Sequence, residues 1–400
     1  MLHRLTEVGY QAYLVGGCVR DLLLGHIPKD FDIVTNASPE QVAQVFRNCR
    51  LIGRRFRLAH VHFGRDIVEV ATFRGGHQEG HADGMSQGDR IIRDNVYGSS
   101  LEEDSWRRDF TINALYCDGS DLSIVDYTGG LEHLKAGVLR LTGDPQLRYR
   151  EDPVRMLRAV RFAAKLNFRI HPDSAAPLFE LGALLDEVSS ARLFEEVLKL
   201  FMGGYALQTF ELLRHYHLFG HLFPQTEASI KKREAALVLL LQALINTDTR
   251  VAQGKPVTPA FLFAALLWEP VRVLAEQMQA ENMTEMQALQ VASEKVVARQ
   301  VGRIALPKRF SVPMREIWAM QPRLRQRNGK RPVRLLTHPR FRAAYDFLLL
   351  RVAAGEEPQE LADWWTHFQT VDGNERDGMS KVAERTPGRK RRRRPKVTAP

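Results

Sequence analysis

Apolar and polar positions follow a strand-like alternation in the first third of the chain and a helical spacing after it. Residues 14–34 read as a strand, a Gly16-Gly17 turn, a short helix, a loop and a second strand carrying Asp30 and Asp32, with Phe31, Ile33 and Val34 as apolar anchors. Ser38, Pro39 and Gln41 have the spacing of an N-cap, a first-turn proline and a capping-box partner, opening a helix whose Val42, Val45 and Phe46 face the sheet. Residues 75–89 are rich in Gly, His, Gln and Asp and read as a loop. From about 141 the spacing is helical: Asp152 and Pro153 cap and start a helix with Met156, Leu157, Val160 and Ala164 on its apolar side. Amphipathic helices fill 180–370, with 260–268 a core helix and Trp364 and Trp365 core residues. After Val371 the chain turns polar and charged, which predicts disorder. The pattern predicts an α+β protein: a mixed-sheet head (1–140), an all-α neck (141–205), an all-α body (206–370) and a disordered basic tail (371–400), with no internal repeat.

Composition narrows the class. An apolar fraction of 44% over 400 residues is enough for real cores. No apolar run reaches the length of a membrane span, and the N-terminus lacks a signal peptide's apolar core. Three scattered cysteines, Cys18, Cys49 and Cys117, argue against a disulfide framework or zinc site and suit a reducing cytoplasm. The net charge of +10 is concentrated: eight cations and no acid lie from Arg385 onward, which leaves +2 for residues 1–384. A polybasic arm on a nearly neutral body points to nucleic acid, ahead of a solubility tail or an anionic membrane surface.

The chemistry gathers around the first turn. Two carboxylates one residue apart on a strand face the same way, and like charges kept side by side need a cation between them. Mg²⁺ held by Asp30 and Asp32 together with substrate phosphates meets that need. Gly16 and Gly17 let backbone N–H groups approach a phosphate, with Arg20 adding positive charge. No P-loop and no G-x-G-x-x-G fingerprint is present. His77 and His81 fall on the Gly-broken loop and read as a solvated pair. Arg155, Arg158, Arg161 and Lys165 share one arc of the neck helix, and Arg323, Arg325, Arg327, Lys330, Arg331 and Arg334 form a second basic cluster.

These residues resemble the polymerase-β-type nucleotidyltransferases, and within them the class that holds tRNA CCA-adding enzymes and bacterial poly(A) polymerases. Further segments carry the likeness: Glu69 within 67–74, Arg107-Arg108-Asp109-Phe110-Thr111-Ile112-Asn113-Ala114, and 151–164, which matches E-D-P-x-R-x-L-R-x-x-R-F. Residues 51–57 (Leu-Ile-Gly-Arg-Arg-Phe-Arg), residues 341–346 and the arginine tail resemble the poly(A) branch. The alternative is CTP/ATP tRNA nucleotidyltransferase; an inactive RNA-binding protein on the same scaffold is disfavoured by the intact Asp30, Asp32, Asp109 and Arg20. The chain begins a few residues before its first strand, so an N-terminal extension is either missing or naturally absent.

The resemblance implies a polymerase-β-like head and template-independent transfer of AMP from ATP to RNA 3′ ends. Asp30 and Asp32 would hold two Mg²⁺ ions, with Mn²⁺ the alternative, and Gly16, Gly17 and Arg20 the triphosphate. Arg108, Arg155 and Arg158 would contact the nucleotide, and Arg155 with Asp152 would choose the base. Asp109 is the third carboxylate by resemblance. Glu69 is the alternative, because its strand could run beside that of Asp32. Single-stranded RNA 3′ ends and ATP are the expected partners, RNA-decay proteins could dock on the tail, and the setting is cytoplasmic without integral membrane association.

Overall fold

The alternating segments near the start of the chain assemble into one seven-stranded sheet, seen in a computed structural model that describes residues 1–53, 57–75, 98 and 100–382. Arg54, Arg55 and Phe56, most of the polar loop with His77 and His81, and the basic tail lie outside the described residues. The chain divides into two compact units, Met1–Leu222 and the part from Phe223 onward.

In the first unit the order is α1 (Leu2–Glu7), β1 (Ala12–Val15), α2 (Gly17–Leu23), β2 (Asp32–Thr35), α3 (Pro39–Val45), β3 (Cys49–Ile52), β4 (Leu58–Phe63), β5 (Asp66–Thr72), α4 (Leu101–Arg107), β6 (Leu115–Asp118) and β7 (Ile124–Asp126). The strands lie in the order β3-β4-β5-β2-β1-β6-β7; β2 and β5 run parallel and all other neighbours antiparallel. Ile33, Val61 and Val70 bury one face against Leu5, Val42 and Phe46, while Val15, Val34, Phe73 and Tyr116 pack on Leu101 on the other. The capping box at α3 forms in both directions: the Gln41 N–H donates to Ser38 Oγ and the Ser38 N–H to Gln41 Oε1.

Two local expectations need correction. Asp30 precedes β2, whose ladder begins at Asp32, so only one of the two carboxylates sits on the strand. Phe31 is 43% exposed and anchors nothing, because the ladder that would turn it inward has not yet begun.

After the sheet come α5 (Gly130–Lys135), a two-residue strand β8 (Val138–Leu139), α6 (Pro145–Glu151), α7 (Val154–Leu166) and β9 (Arg169–Ile170), which pairs with β8 in parallel. The neck helix α7 starts one residue later than its sequence predicts, yet Asp152 still caps it by accepting the Val154 N–H at 3.2 Å. Met156, Leu157, Val160 and Ala164 are buried as the spacing requires.

The second unit is helical, and no helix among the described residues is long and apolar enough to cross a membrane. Trp318 and Trp365 are fully buried, their indole N–H groups donating to the carbonyls of Ala264 and Leu324. Arg325 and Arg327 of the second basic cluster are paired with Glu285, Glu357 and Glu360. Disorder does not begin at 371: Gly373–Val382 is a helix. Asp372 caps it through the Glu375 N–H, Arg376 donates to the carbonyls of Phe368 and Gln369, and Met379 packs on the Trp365 cluster. A polar helix is held there by a local cap, by Arg376 on the end of the preceding helix and by the packing of Met379, none of which composition reveals.

Candidate active site

Strand register builds the floor of the site. Across β3, β4, β5 and β2 the residues Arg50, His60, Glu69 and Asp32 stand side by side. The Leu14–Ile33 pair carries the row on to Val15 of β1, which is paired with Tyr116 of β6. Paired residues share a face, so the row sets Glu69 and Asp32 next to each other. Both line a cleft of about 120 Å³ together with Val15, Ala71, Arg107 and Arg108. Burial and the neighbouring Glu69 push Asp32 above the ordinary carboxylate range, Arg108 pulls it back, and Asp30 adds to the rise. His60 Nε2 stands 3.6 Å from Glu69 Oε2 on the far side. Asp30 is exposed, on the approach to β2.

The turn before α2 closes one wall. Gly16 sits at φ +76° and ψ −126°, a conformation that glycine reaches without steric cost. A Cβ there would lie 3.5 Å from Arg108 Nη1, which places that guanidinium against the turn. Gly17 opens α2, whose first N–H groups have no partner within the helix.

Arg20 and Asp109 belong to a buried strut beside this wall. Arg20 is 2% exposed, donates from Nε and Nη2 to Asp21 Oδ1 at 2.8 and 2.6 Å, and from Nη1 to Asn113 Oδ1 at 2.7 Å. Each of its guanidinium nitrogens has a partner within the protein. Asn113 donates in turn to Asp109 Oδ1 at 3.1 Å, which also accepts the Phe110 N–H. Asp109 Oδ2 takes both Nε and Nη2 of Arg158 from the neck helix. Burial opposes the Asp109 charge, but Arg158, Asn113 and the Phe110 N–H outweigh it and hold its pKa down at about 2. Both oxygens of Asp109 are thus taken, whereas Glu69 lies in register with Asp32.

The neck meets the same segment through Arg148, which donates to the carbonyls of Arg107 and Arg108 at 2.8 and 2.7 Å. Arg155 donates to the Arg148 carbonyl and to Glu151. Asp152 does not pair with Arg155, as the sequence suggested; its partner is Arg192 Nη2 at 2.7 Å, from the helix Ser190–Phe201.

Sequence reasoning gave Asn113 no role beyond its place in the 107–114 segment, and missed Arg148, Arg192 and the α4 residue Asp104. Local signals existed for two of the helices that carry them: Ser100 as N-cap with Glu102, Glu103 and Asp104 in the first turn of α4, and Asp144 with Pro145 opening α6, which holds Arg148.

Comparison with known proteins agrees with this architecture. Residues 12–140 match a family model described as the poly A polymerase head domain. Residues 167–230 match a probable RNA and SrmB-binding site of polymerase A, and 281–398 match the polymerase A arginine-rich C-terminus. The chain is 49% identical to Poly(A) polymerase I of Escherichia coli O157:H7 over all of its length and 88% of that protein. It is 45% identical to Poly(A) polymerase I of Haemophilus influenzae, covering 96% of this chain and 87% of that one. Among solved structures, the Bacillus stearothermophilus CCA-adding enzyme in complex with CTP superposes with a TM-score of 0.60 at 25% identity, over 97% of this chain and 87% of that one.

Proposed function

The chain belongs to the poly(A) polymerase family, and on that footing we propose that it adds AMP from ATP, without a template, to the 3′ end of single-stranded RNA and releases pyrophosphate. The observation that carries this reading over CCA addition is the likeness to Poly(A) polymerase I through the whole chain, since the cleft itself would serve either reaction.

Asp30 and Asp32 are the residues that would hold Mg²⁺ or Mn²⁺. The donor set fits a hard cation: Asp32 is pushed up by burial and by Glu69, a strain that a bound cation relieves. Bound there, such ions would neutralise charge on the triphosphate and acidify the attacking hydroxyl. Among the described residues no three potential ligands stand close enough to hold an ion by themselves, which leaves room for phosphate and water oxygens. We assign Glu69 as the third carboxylate, facing the attacking 3′ oxygen, and Asp109 as the support of Arg158.

The N–H groups at the start of α2 and Arg108 Nη1 would receive the polyphosphate. Arg20 fixes the geometry of the turn from beneath. Arg155, held by Glu151, and Asp152, held by Arg192, would meet the base, where buried polar groups left unpaired reject the wrong nucleotide. In the reaction the 3′ oxygen bonds to the α-phosphorus as the bond to pyrophosphate breaks. No covalent enzyme intermediate is needed, so positioning and electrostatics supply the acceleration. The arginine tail would track RNA phosphates and offer a contact for RNA-decay proteins. Three free thiols suit work in the cytoplasm.

The test is a tRNA lacking its terminal CCA, offered CTP and ATP together beside an unstructured RNA. Long A-tails on the unstructured RNA support the proposal; addition of C, C and A to the tRNA followed by arrest would move the assignment to the CCA branch.

A further inference from the structure

Arg108 reaches the cleft as the end of a buried triangle. Asp104 of α4 is 2% exposed. Its Oδ2 accepts Arg108 Nε at 2.9 Å and Tyr116 Oη–H at 2.7 Å, and it stands 2.9 Å from Arg108 Nη2. Its Oδ1 accepts the Arg74 N–H at 3.0 Å, which ties the carboxylate to the chain leaving β5. Arg108 Nε also donates to Tyr116 Oη at 3.0 Å, and the guanidinium carbon lies 5.2 Å from the centre of the Tyr116 ring. Tyr116 is fully buried in the sheet, in the same row as Glu69 and Asp32.

The triangle has one open corner. Nε and Nη2 are engaged by Asp104 and Tyr116, while Nη1 makes no hydrogen bond among the described residues and lies against the Gly16 turn. A guanidinium gripped side-on by a carboxylate has its plane set, so the remaining N–H groups point in a fixed direction. Burial works against the Arg108 charge, yet Asp104 and Tyr116 overcome it and leave the cation stabilised. Burial also pushes the Tyr116 phenol far up, so it stays a donor.

We propose that Asp104 and Tyr116 are positioning residues that aim Arg108 Nη1 at the polyphosphate of the incoming nucleotide. The inference rests on the nucleotidyl-transfer reading of the cleft. Neither residue touches the substrate; each acts through Arg108, and the effect belongs to nucleotide binding rather than to RNA binding.

The test uses the full chain with Tyr116→Phe, Asp104→Asn and Arg108→Ala, singly and with each of the first two combined with the third. Initial rates are measured with whichever nucleoside triphosphate the wild type incorporates, so a wrong base assignment and a wrong positioning assignment give different results. Tyr116→Phe removes the hydrogen bonds to Asp104 and Arg108 but leaves the Asp104–Arg108 ion pair in place, and should raise KM for the triphosphate about three- to tenfold. Asp104→Asn removes the charge and should raise it about ten- to a hundredfold. KM for RNA should hold, inhibition by pyrophosphate should weaken in parallel, and both effects should vanish in the Arg108→Ala background. Effects that persist undiminished beside Arg108→Ala would overturn the proposal. So would an unchanged nucleotide KM in Tyr116→Phe, the milder variant that tests the idea should Asp104→Asn fail to fold.

Discussion

Exchanging Asp109 for Asn and Glu69 for Gln tests the proposed division between a structural strut and a working carboxylate. The Asp109 side chain is 13% exposed and pairs with Arg158. Removing one partner of a buried pair costs about 3–5 kcal/mol, because the other charge is left behind. The depressed pKa points the same way: a fall from 3.8 to about 2 corresponds to roughly 2 kcal/mol of stability. The sign follows from the folded value lying below the unfolded one: the contribution is complete above about pH 4 and is lost as pH falls through about 2. For a unit of this size, a loss of about 3 kcal/mol lowers its melting temperature by about 6–12 °C. Glu69→Gln, by contrast, removes a like charge beside Asp32, so melting should hold or rise while kcat falls by about a hundredfold or more. Calorimetry of both variants, with single-turnover extension at saturating ATP, reads the two quantities apart. An Asp109→Asn protein that melts like the wild type yet loses its chemistry would refute the reasoning. So would a Glu69→Gln protein that is destabilised but active.

Three further outcomes follow from the same geometry. Gly16→Ala forces a side chain into a positive-φ conformation at a cost of about 1–3 kcal/mol; melting should drop and KM for ATP should rise, both seen in one thermal-shift titration with ATP. Arg192→Ala leaves Asp152 without its ion-pair partner and should narrow the preference for ATP over CTP, measured as the ratio of the two kcat/KM values, with an unchanged ratio counting against a role in base choice. Deleting residues 385–400 removes eight cations and should flatten the salt dependence of single-stranded RNA binding by about 0.7 in log–log slope for each lost phosphate contact; an intact slope would show that the tail does not touch RNA.

What could be read from the sequence was local. The Gly16 turn, the Ser38 capping box and the apolar side of α7 each rest on residues of one short segment, and each is present as read. What could not be read depended on distant pairing. The placement of Glu69 beside Asp32, on which the proposed third carboxylate rests, depends on β5 lying parallel to β2, a pairing across some 37 residues that alternation alone does not specify. Asp152 stands three positions from Arg155 in the sequence, but its carboxylate meets Arg192, 40 positions away. The contact between Arg20 and Asn113, at 2.7 Å, joins residues 93 positions apart and has no local signature. Composition misjudged 373–382 for a different reason: Arg376 binds the carbonyls of Phe368 and Gln369, which are free only because the preceding helix ends there.

The most direct test of the central claim is extension of a 5′-labelled unstructured RNA with each nucleoside triphosphate in turn, run beside Asp32→Asn. The account predicts a long ladder with ATP alone, abolished in the variant while RNA binding persists. Extension with CTP to a fixed short length, or a ladder that survives Asp32→Asn, would contradict it.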